Sequence, residues 1–507
     1  MKKMSLTFIL IMVGTIISNF LGLLRELVLA YKFGTSDVVD IYIISTLLPV
    51  TLFSLFISGI TTPYIPIISK MVNEKKKIDY FTSNLLNVTL IVTTFLFIIF
   101  ILFAENILKV YAYGFNPEKL QKTVHLTQIM FIGIYPISVY MILQQYLNFR
   151  GKFVATSFIG IFLNIAWIGG ILFSDEEFLT PIGIGNTFGY IFVAIFICIL
   201  TFKNEFKYNL VLNYRDDSLR KLGRMFTPIF LGLIIAQING IVDKSIASSQ
   251  GEGAIAILNY SSRLLYFVYG LLIVTFITFI NPKIAIIYNK NINKFKKTIS
   301  ELIIINVIVL TPIIVIFIVF SEDIINILYN RGEFGKESLG MTSKCLILYI
   351  ISLLPLGIRE LINKVFFIES DTKSPLINNI VLVVINIALS LVAVYIFNLG
   401  FIALSGTTTI ANFVSMVIYL RVLKRKSLLK LNKQFYWDIF KIMVINLIML
   451  FVILVELNFF YNKDKNIQYF FIVWIIMYLL QYTVLIYFSK ISIINLYISR
   501  KIRKGIT

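Results

Sequence analysis

Ionisable residues stand where this chain is otherwise written for lipid. In the segment Gly22–Pro49, GLLRELVLAYKFGTSDVVDIYIISTLLP, Arg25 and Glu26 interrupt an apolar run that starts near Ser5, and Asp40 opens the next run. Arg263 stands alone in SSRLLYFVYG, flanked by mostly apolar residues. A central arginine costs about 3 kcal/mol to insert, and such residues are tolerated mainly where they face a bundle interior or a watery cavity. A guanidinium presents a planar fork of donors matched to phosphate oxygens, which a lysine lacks. Arg25 and Arg263 therefore suit ligands for an anionic group, facing each other across a central cavity. Plainer roles stand beside this one. Arg25 could snorkel or pair with Glu26, although it lies about twenty residues into its run. Arg263 could pair with Asp243 or Glu360. Asp40, at a helix start, suits a carboxylate stabilised by the helix dipole.

The remaining intramembrane polar residues read more simply. Asp243 and Lys244 can neutralise one another, and Arg359-Glu360 with Lys364 suits a structural pair and a snorkelling lysine. Asn378, Asn379 and Asn386 suit interhelical hydrogen bonding.

Around these residues, 58% of the 507 positions are hydrophobic, mean hydropathy is +0.88 and only 14% are charged. Soluble domains carry roughly 25% charged residues, so the class is a polytopic membrane protein. The run Leu6–Leu29 is too long for a signal-peptide core and lacks a small-residue cleavage site, so it reads as a first helix that stays in place. The formal charge of +20 comes from basic residues clustered in short loops, which reflects topology rather than nucleic-acid binding.

Enzymatic chemistry has little to work with. Cys198 and Cys345 lie in apolar runs, so neither a disulfide framework nor a CxxC metal site is available. The single histidine, His125, removes Ser-His-Asp and Cys-His catalysis and His-ligated zinc. No phosphate loop or nucleotide fingerprint occurs. A transporter without a cofactor or metal is expected, driven by membrane potential, an ion gradient or the substrate gradient.

A membrane span needs about 20 apolar residues. Fourteen runs qualify: approximately 6–31, 41–69, 82–104, 123–147, 154–173, 181–202, 223–247, 254–287, 299–320, 341–366, 376–397, 400–420, 436–457 and 467–489. The fold class is all-α. The second and eighth exceed one straight span, with Pro49, Pro63 and Pro66 able to bend the second. Lys70–Lys77, Lys203–Lys221, Lys290–Lys297, Arg421–Lys433 and Arg500–Lys504 are strongly basic and fall on one side with both termini, which should be cytoplasmic.

An internal repeat is visible. Pro66 and its basic sequel PIISKMVNEKKK match Pro282 in PKIAIIYNKNIN, 216 residues on, and Pro136 matches Pro355, 219 residues on. The expected organisation is an N-lobe over 1–205, a linker over 206–221, a C-lobe over 222–425, and two further helices with a basic tail over 426–507. Six spans per repeat preserve orientation, so the lobes are related by a pseudo-two-fold along the membrane normal, with substrate between them.

These motifs resemble a known family. Ser18–Glu26 (SNFLGLLRE), followed by Phe33-Gly34, Asp40 and Leu48-Pro49, resembles the opening signature of the MurJ (MviN) lipid II flippases. ILNYSSRLL at Ile257–Leu265, LYNRGEF at Leu328–Phe334 and DTKSP at Asp371–Pro375 resemble its later motifs. The resemblance implies the multidrug/oligosaccharidyl-lipid/polysaccharide exporter architecture, with two added helices forming a groove for a lipid tail. It assigns Arg25 and Arg263 to the pyrophosphate or headgroup, with Glu26 and Asp40 as acidic partners. It puts a sodium site near Asp243, Asn386 and Ser390, although Ser390 replaces an expected acid. Asn19 and Phe53 stand where the family commonly has arginine, and Ser58 where it has an acid.

The expectation is a monomeric flippase in the bacterial inner membrane, moving lipid II from the cytoplasmic to the outer leaflet by alternating access. The thinned arginine cluster keeps a second substrate open, another polyprenol-linked repeat unit of capsule, O-antigen or teichoic type. A drug or cation antiporter would want cavity acids instead. A polyprenol-dependent glycosyltransferase would need a larger outer domain than Ala104–Lys122 or Ser321–Gly340 provides.

Overall fold

The computed structural model describes residues 2–71, 73–369, 371–429, 431–460, 467–489 and 491, so the basic tail Arg500–Lys504 lies outside the described residues. The chain runs through α1 (Lys2–Phe33), α2 (Asp37–Met71), α3 (Lys75–Tyr111), α4 (Pro117–Phe131), α5 (Ile134–Phe149), α6 (Phe153–Leu172), α7 (Thr180–Lys203), α8 (Asp217–Ala247), α9 (Ala254–Lys290) and α10 (Ile292–Val319). It continues through α11 (Ser321–Tyr329), α12 (Lys336–Ile368), α13 (Lys373–Ile396), α14 (Ile402–Arg425), α15 (Lys433–Phe460) and α16 (Ile467–Phe488). No strand occurs among the described residues, as expected where hydrocarbon leaves each backbone amide to find its partner within its own helix.

Among the described residues, twelve helices are long and apolar enough to cross a membrane, and the bent pair α4–α5 makes a thirteenth. Helix α16 adds the shorter apolar stretch Val473–Phe488. Each of the fourteen expected runs falls on one of these helices. The fold is an all-α polytopic membrane fold.

The bends have local causes. Pro136 follows the Gly133 break between α4 and α5, where the axis turns by 40°. Pro355 sits at the same offset beyond the break at Ser352 in α12. Helix α2 widens into a π-turn over Leu47–Leu52, around Pro49, because proline donates no amide to the ladder. Helix α9 widens likewise over Tyr269–Val274, around Gly270 with no proline, and α13 over Val392–Ile396. Wide turns of this kind are often found at functional sites.

The chain divides into two compact units: Met1–Ile257 with Arg331–Ser338, and Leu258–Asn330 with Leu339–Thr507. In the first, α6 packs against α1 and α7, α4 against α2, and α3 against α5. In the second, α13 and α14 pair, α12 packs on α14, and α10 packs on α12 and α15.

Residues 207–213 are strapped onto α3. The Asn84 side chain exchanges hydrogen bonds with the Asn213 backbone at 2.9 and 2.8 Å, Asn87 Nδ2 donates to Val211 O at 2.8 Å, and Asn209 N donates to Ser83 Oγ at 3.0 Å. Polar side chains on one face of α3 thus satisfy backbone groups that have no helix of their own.

Candidate functional site

Arg25 lies on α1 where that helix packs against α6, and it is 9% exposed. It does not snorkel. Its Nη2 donates to Glu26 Oε1 at 2.8 Å, so the adjacent pair forms, and its Nη1 donates to Asn164 Oδ1 on α6 at 3.3 Å. Asn164 is itself held by Nδ2 donating to Gly160 O at 2.7 Å. One turn further along α6, the Trp167 ring lies under the guanidinium, with Cζ 4.2 Å from the ring centre. Trp167 meets Tyr42 of α2 and Tyr190 of α7 edge-on, each at 6.3 Å, and Tyr190 stacks on Tyr140 of α5. The buried cation thus sits over one ring of an aromatic cluster drawn from α2, α5, α6 and α7.

Part of its hydrogen-bonding capacity is unspent. Arg25 Nε and Trp167 Nε1 are buried without a partner, as are both polar atoms of the Asn186 carboxamide, one turn before Tyr190 on α7. Buried donors are almost always satisfied by protein, water or ligand.

Asp40 caps a helix other than its own. Its Oδ2 accepts Lys119 Nζ at 2.9 Å and Gly253 N at 3.1 Å, and its Oδ1 accepts Ala256 N at 2.9 Å. Gly253 and Ala256 bracket the first turn of α9, so the carboxylate meets orphan amides at the positive end of that helix. Lys119 also reaches Asp37 at 2.5 Å. Asp40 is 1% exposed and its two oxygens are engaged by three donors.

The same end of the unit is closed by backbone. Glu333 N donates to Tyr31 O at 3.0 Å, and the Thr35 and Ser338 hydroxyls bond at 2.7 Å. Gly332 adopts φ +62°, and a Cβ there would run into the Tyr31 carbonyl. Only glycine fits this left-handed close approach at low cost. The Arg331–Ser338 segment thus seals against the turn between α1 and α2.

In the second unit, α9 buries Tyr260, Ser261, Leu264, Leu265 and Val268 while Arg263, Tyr266 and Phe267 stand exposed on the opposite face. Arg263 lies less than two turns before the π-turn that starts at Tyr269. Arg359 on α12, expected to form a structural pair with Glu360, is held by asparagines instead. Its Nη1 donates to Asn412 Oδ1 at 2.5 Å and its Nη2 to Asn379 Oδ1 at 3.2 Å, while Nε has no partner. Its neighbour Glu360 turns away, to Lys364 at 3.1 Å and to the Tyr269 hydroxyl at 3.3 Å.

Asp243 is buried in the first unit, and Asn386 and Ser390 are buried on α13 of the second. The Ser390 hydroxyl bonds that of Thr407 at 2.8 Å. No group of three or more His, Cys, Asp or Glu residues with metal-binding placement occurs among the described residues.

Of the departures, Asn19 is exposed on α1, whereas Phe53 is buried against Phe56 with ring centres 5.7 Å apart. Phe56 meets Phe226 and Phe230 of α8 edge-on at 5.4 and 5.7 Å. An aromatic cluster occupies the place where a cavity arginine was expected.

Many apolar spans, a buried guanidinium with unspent donors and π-interrupted helices define a multi-pass membrane transporter. The fold is that of a multidrug resistance MATE family transporter of the MOP superfamily in an inward-facing conformation, at TM-score 0.71 and 14% identity over 81% of this chain and 95% of that one. A family model described as lipid II flippase MurJ matches residues 29–490. The chain belongs to that family. A solved structure of lipid II flippase MurJ in an inward closed conformation superposes at TM-score 0.81 with 26% identity, covering 95% of this chain and 98% of that chain. The probable lipid II flippase MurJ of Rickettsia prowazekii is 28% identical over 74% of this chain and 76% of its own length. Its counterpart in Buchnera aphidicola subsp. Acyrthosiphon pisum is 26% identical over 88% of each.

Proposed function

We propose that this chain is a flippase that translocates lipid II from the cytoplasmic to the outer leaflet by alternating access. The observation that carries the reading is the Arg25 box, a buried guanidinium over Trp167 with a donor left unspent. A pyrophosphate oxygen would supply an acceptor for that unspent donor. Arg263, exposed on α9, is the second ligand. Glu26 and Asp40 orient the site, Glu26 through Arg25 and Asp40 through Lys119 and the start of α9. The polyprenyl tail stays in lipid while the headgroup passes. Family membership supports the substrate, and the basic loops support cytoplasmic termini in a bacterial inner membrane. The chain works as a monomer without enzymatic chemistry, coupled to membrane potential or to a sodium gradient.

The test is rescue of a flippase-depleted strain at matched expression. Arg25→Ala or Arg263→Ala is expected to abolish rescue, and full rescue by both variants overturns the assigned roles. The Phe53–Phe56 contact favours a second reading, in which a thinner anion cluster serves another polyprenol-pyrophosphate-linked repeat unit. Rescue that disappears when that second pathway is deleted would establish it.

A further inference from the structure

A cavity of about 600 Å3 opens in the first unit between the ends of α5 and α7, lined by Phe149, Arg150, Lys152, Lys203, Asn204 and Glu205. It is an open hollow with a mostly polar and charged lining. It plays no part in the Arg25 site.

Two matching chain reversals build its walls. Helix α5 ends at Phe149, Gly151 turns left-handed at φ +77°, and Lys152 N returns to Leu147 O at 2.9 Å. Helix α7 ends at Lys203, Glu205 takes the same turn at φ +62°, and Phe206 N returns to Thr201 O at 3.3 Å. Such six-residue closures satisfy terminal carbonyls and fix the direction in which the next side chains leave. A glutamate in the left-handed region is uncommon, and this one is tied down by Lys75 of α3, whose Nζ lies 2.7 Å from Glu205 Oε2. That hydrogen bond holds the Glu205 carboxyl below its usual range.

The lining acid is therefore already engaged from outside. Among the described residues, Arg150, Lys152 and Lys203 make no side-chain hydrogen bond or ion pair, although Arg150 adds its field to that of Lys75 at Glu205. A helix C-terminus favours a nearby cation, which accounts for Arg150 and Lys203 singly. It does not account for three cations converging on one hollow beside an engaged acid. Phe153 and Phe202, next in sequence to the lining residues Lys152 and Lys203, are 45% and 54% exposed and offer apolar surface to lipid chains.

We propose that Arg150, Lys152 and Lys203 bind the phosphate of an anionic phospholipid headgroup, on the membrane face that carries the basic loops. Basic pockets between spanning helices take such headgroups. The bound lipid is resident, and distinct from whatever the Arg25 site moves.

Native mass spectrometry of the purified full-length chain tests this with phosphatidylglycerol, phosphatidylcholine and inorganic phosphate in separate arms. Phosphatidylglycerol is expected to be retained over phosphatidylcholine. R150Q/K152Q/K203Q is expected to lose that retention by about fivefold per cation removed, while R421Q/K424Q/R425Q keeps it. Equal retention by the first triple variant, or equal retention of the two lipids, overturns the proposal. Capture of inorganic phosphate at least as tightly as the lipid overturns the lipid source. Should the triple variant unfold, Lys152→Gln alone carries the same comparison. Because transport is not read, a failed rescue assay and a failed lipid assay remain distinguishable.

Discussion

The guanidinium of Arg25 rests 4.2 Å above the Trp167 ring, and neither residue satisfies all its buried donors. The ring face attracts the cation, and its bulk fixes where the fork points. Trp167→Phe is expected to keep the stacking and support growth in the depleted strain. Trp167→Ala removes both the ring face and the packing, at a cost of about 3–5 kcal/mol in stability, and is expected to fail in rescue. Thermal unfolding and complementation, measured together, separate the loss of fold from the loss of site.

Asp40 and Lys119 form a buried pair at 2.9 Å that also anchors the first turn of α9. Removing one partner of such a pair leaves an uncompensated charge and costs about 3–5 kcal/mol. Lys119→Met is therefore expected to lower the melting temperature clearly. Adding Asp40→Asn should restore part of the loss, because the amide oxygen still accepts from the α9 backbone. An additive double variant would contradict the pairing.

Gly332→Ala is expected to loosen the seal made by Arg331–Ser338, since the new methyl meets the Tyr31 carbonyl in a left-handed backbone. A penalty of about 1–3 kcal/mol follows from backbone strain. With Ser338→Cys as reporter, maleimide labelling should speed up in Gly332→Ala relative to Ser338→Cys alone. Unchanged labelling would show that the segment is held by other contacts.

Lys426 reaches Asp371 at 2.8 Å and Glu369 at 3.0 Å, joining the α12–α13 turn to the end of α14. Partial burial alone would raise the Asp371 carboxyl, but hydrogen bonds from Lys426 and Ser374 outweigh it and hold the group well below the usual carboxylate range. The same contacts raise Lys426, chiefly through Asp371. A depressed acid stabilises the fold above its unfolded value and loses that contribution as pH falls toward its folded value. Stability should therefore decline on acidification below about pH 4, and the decline should be shallower in Asp371→Asn. A melting series from pH 7 to acid, on both proteins, checks the slope.

Much of this was readable before any coordinates. Apolar run length located the spans, because hydrocarbon thickness sets a length that composition reveals directly. The proline pairs marked the repeat but not the breaks at Gly133 and Ser352, where the sequence reads as single continuous spans. Asp40 was recognisable as a helix-end acid, but sequence alone pointed to its own helix, whereas it caps α9 more than two hundred residues away. Trp167 and Asn164 were invisible as site residues, since an aromatic and an amide in an apolar run look like ordinary packing. Lys119 lay in a stretch weighed only for its length. Long-range pairing has no period, and that is why these residues escaped.

The wide turns in α2 and α9 carry one more consequence. A π-turn holds one residue beyond an α-turn, so the helix past it keeps the azimuth it would have had with that residue missing. Leu47–Leu52 and Tyr269–Val274 are therefore stored slack. Passing the surplus residue along by one position would swing the outer segment while breaking few hydrogen bonds at a time. Each of these long helices has its own joint, threaded through the backbone rather than cut into it.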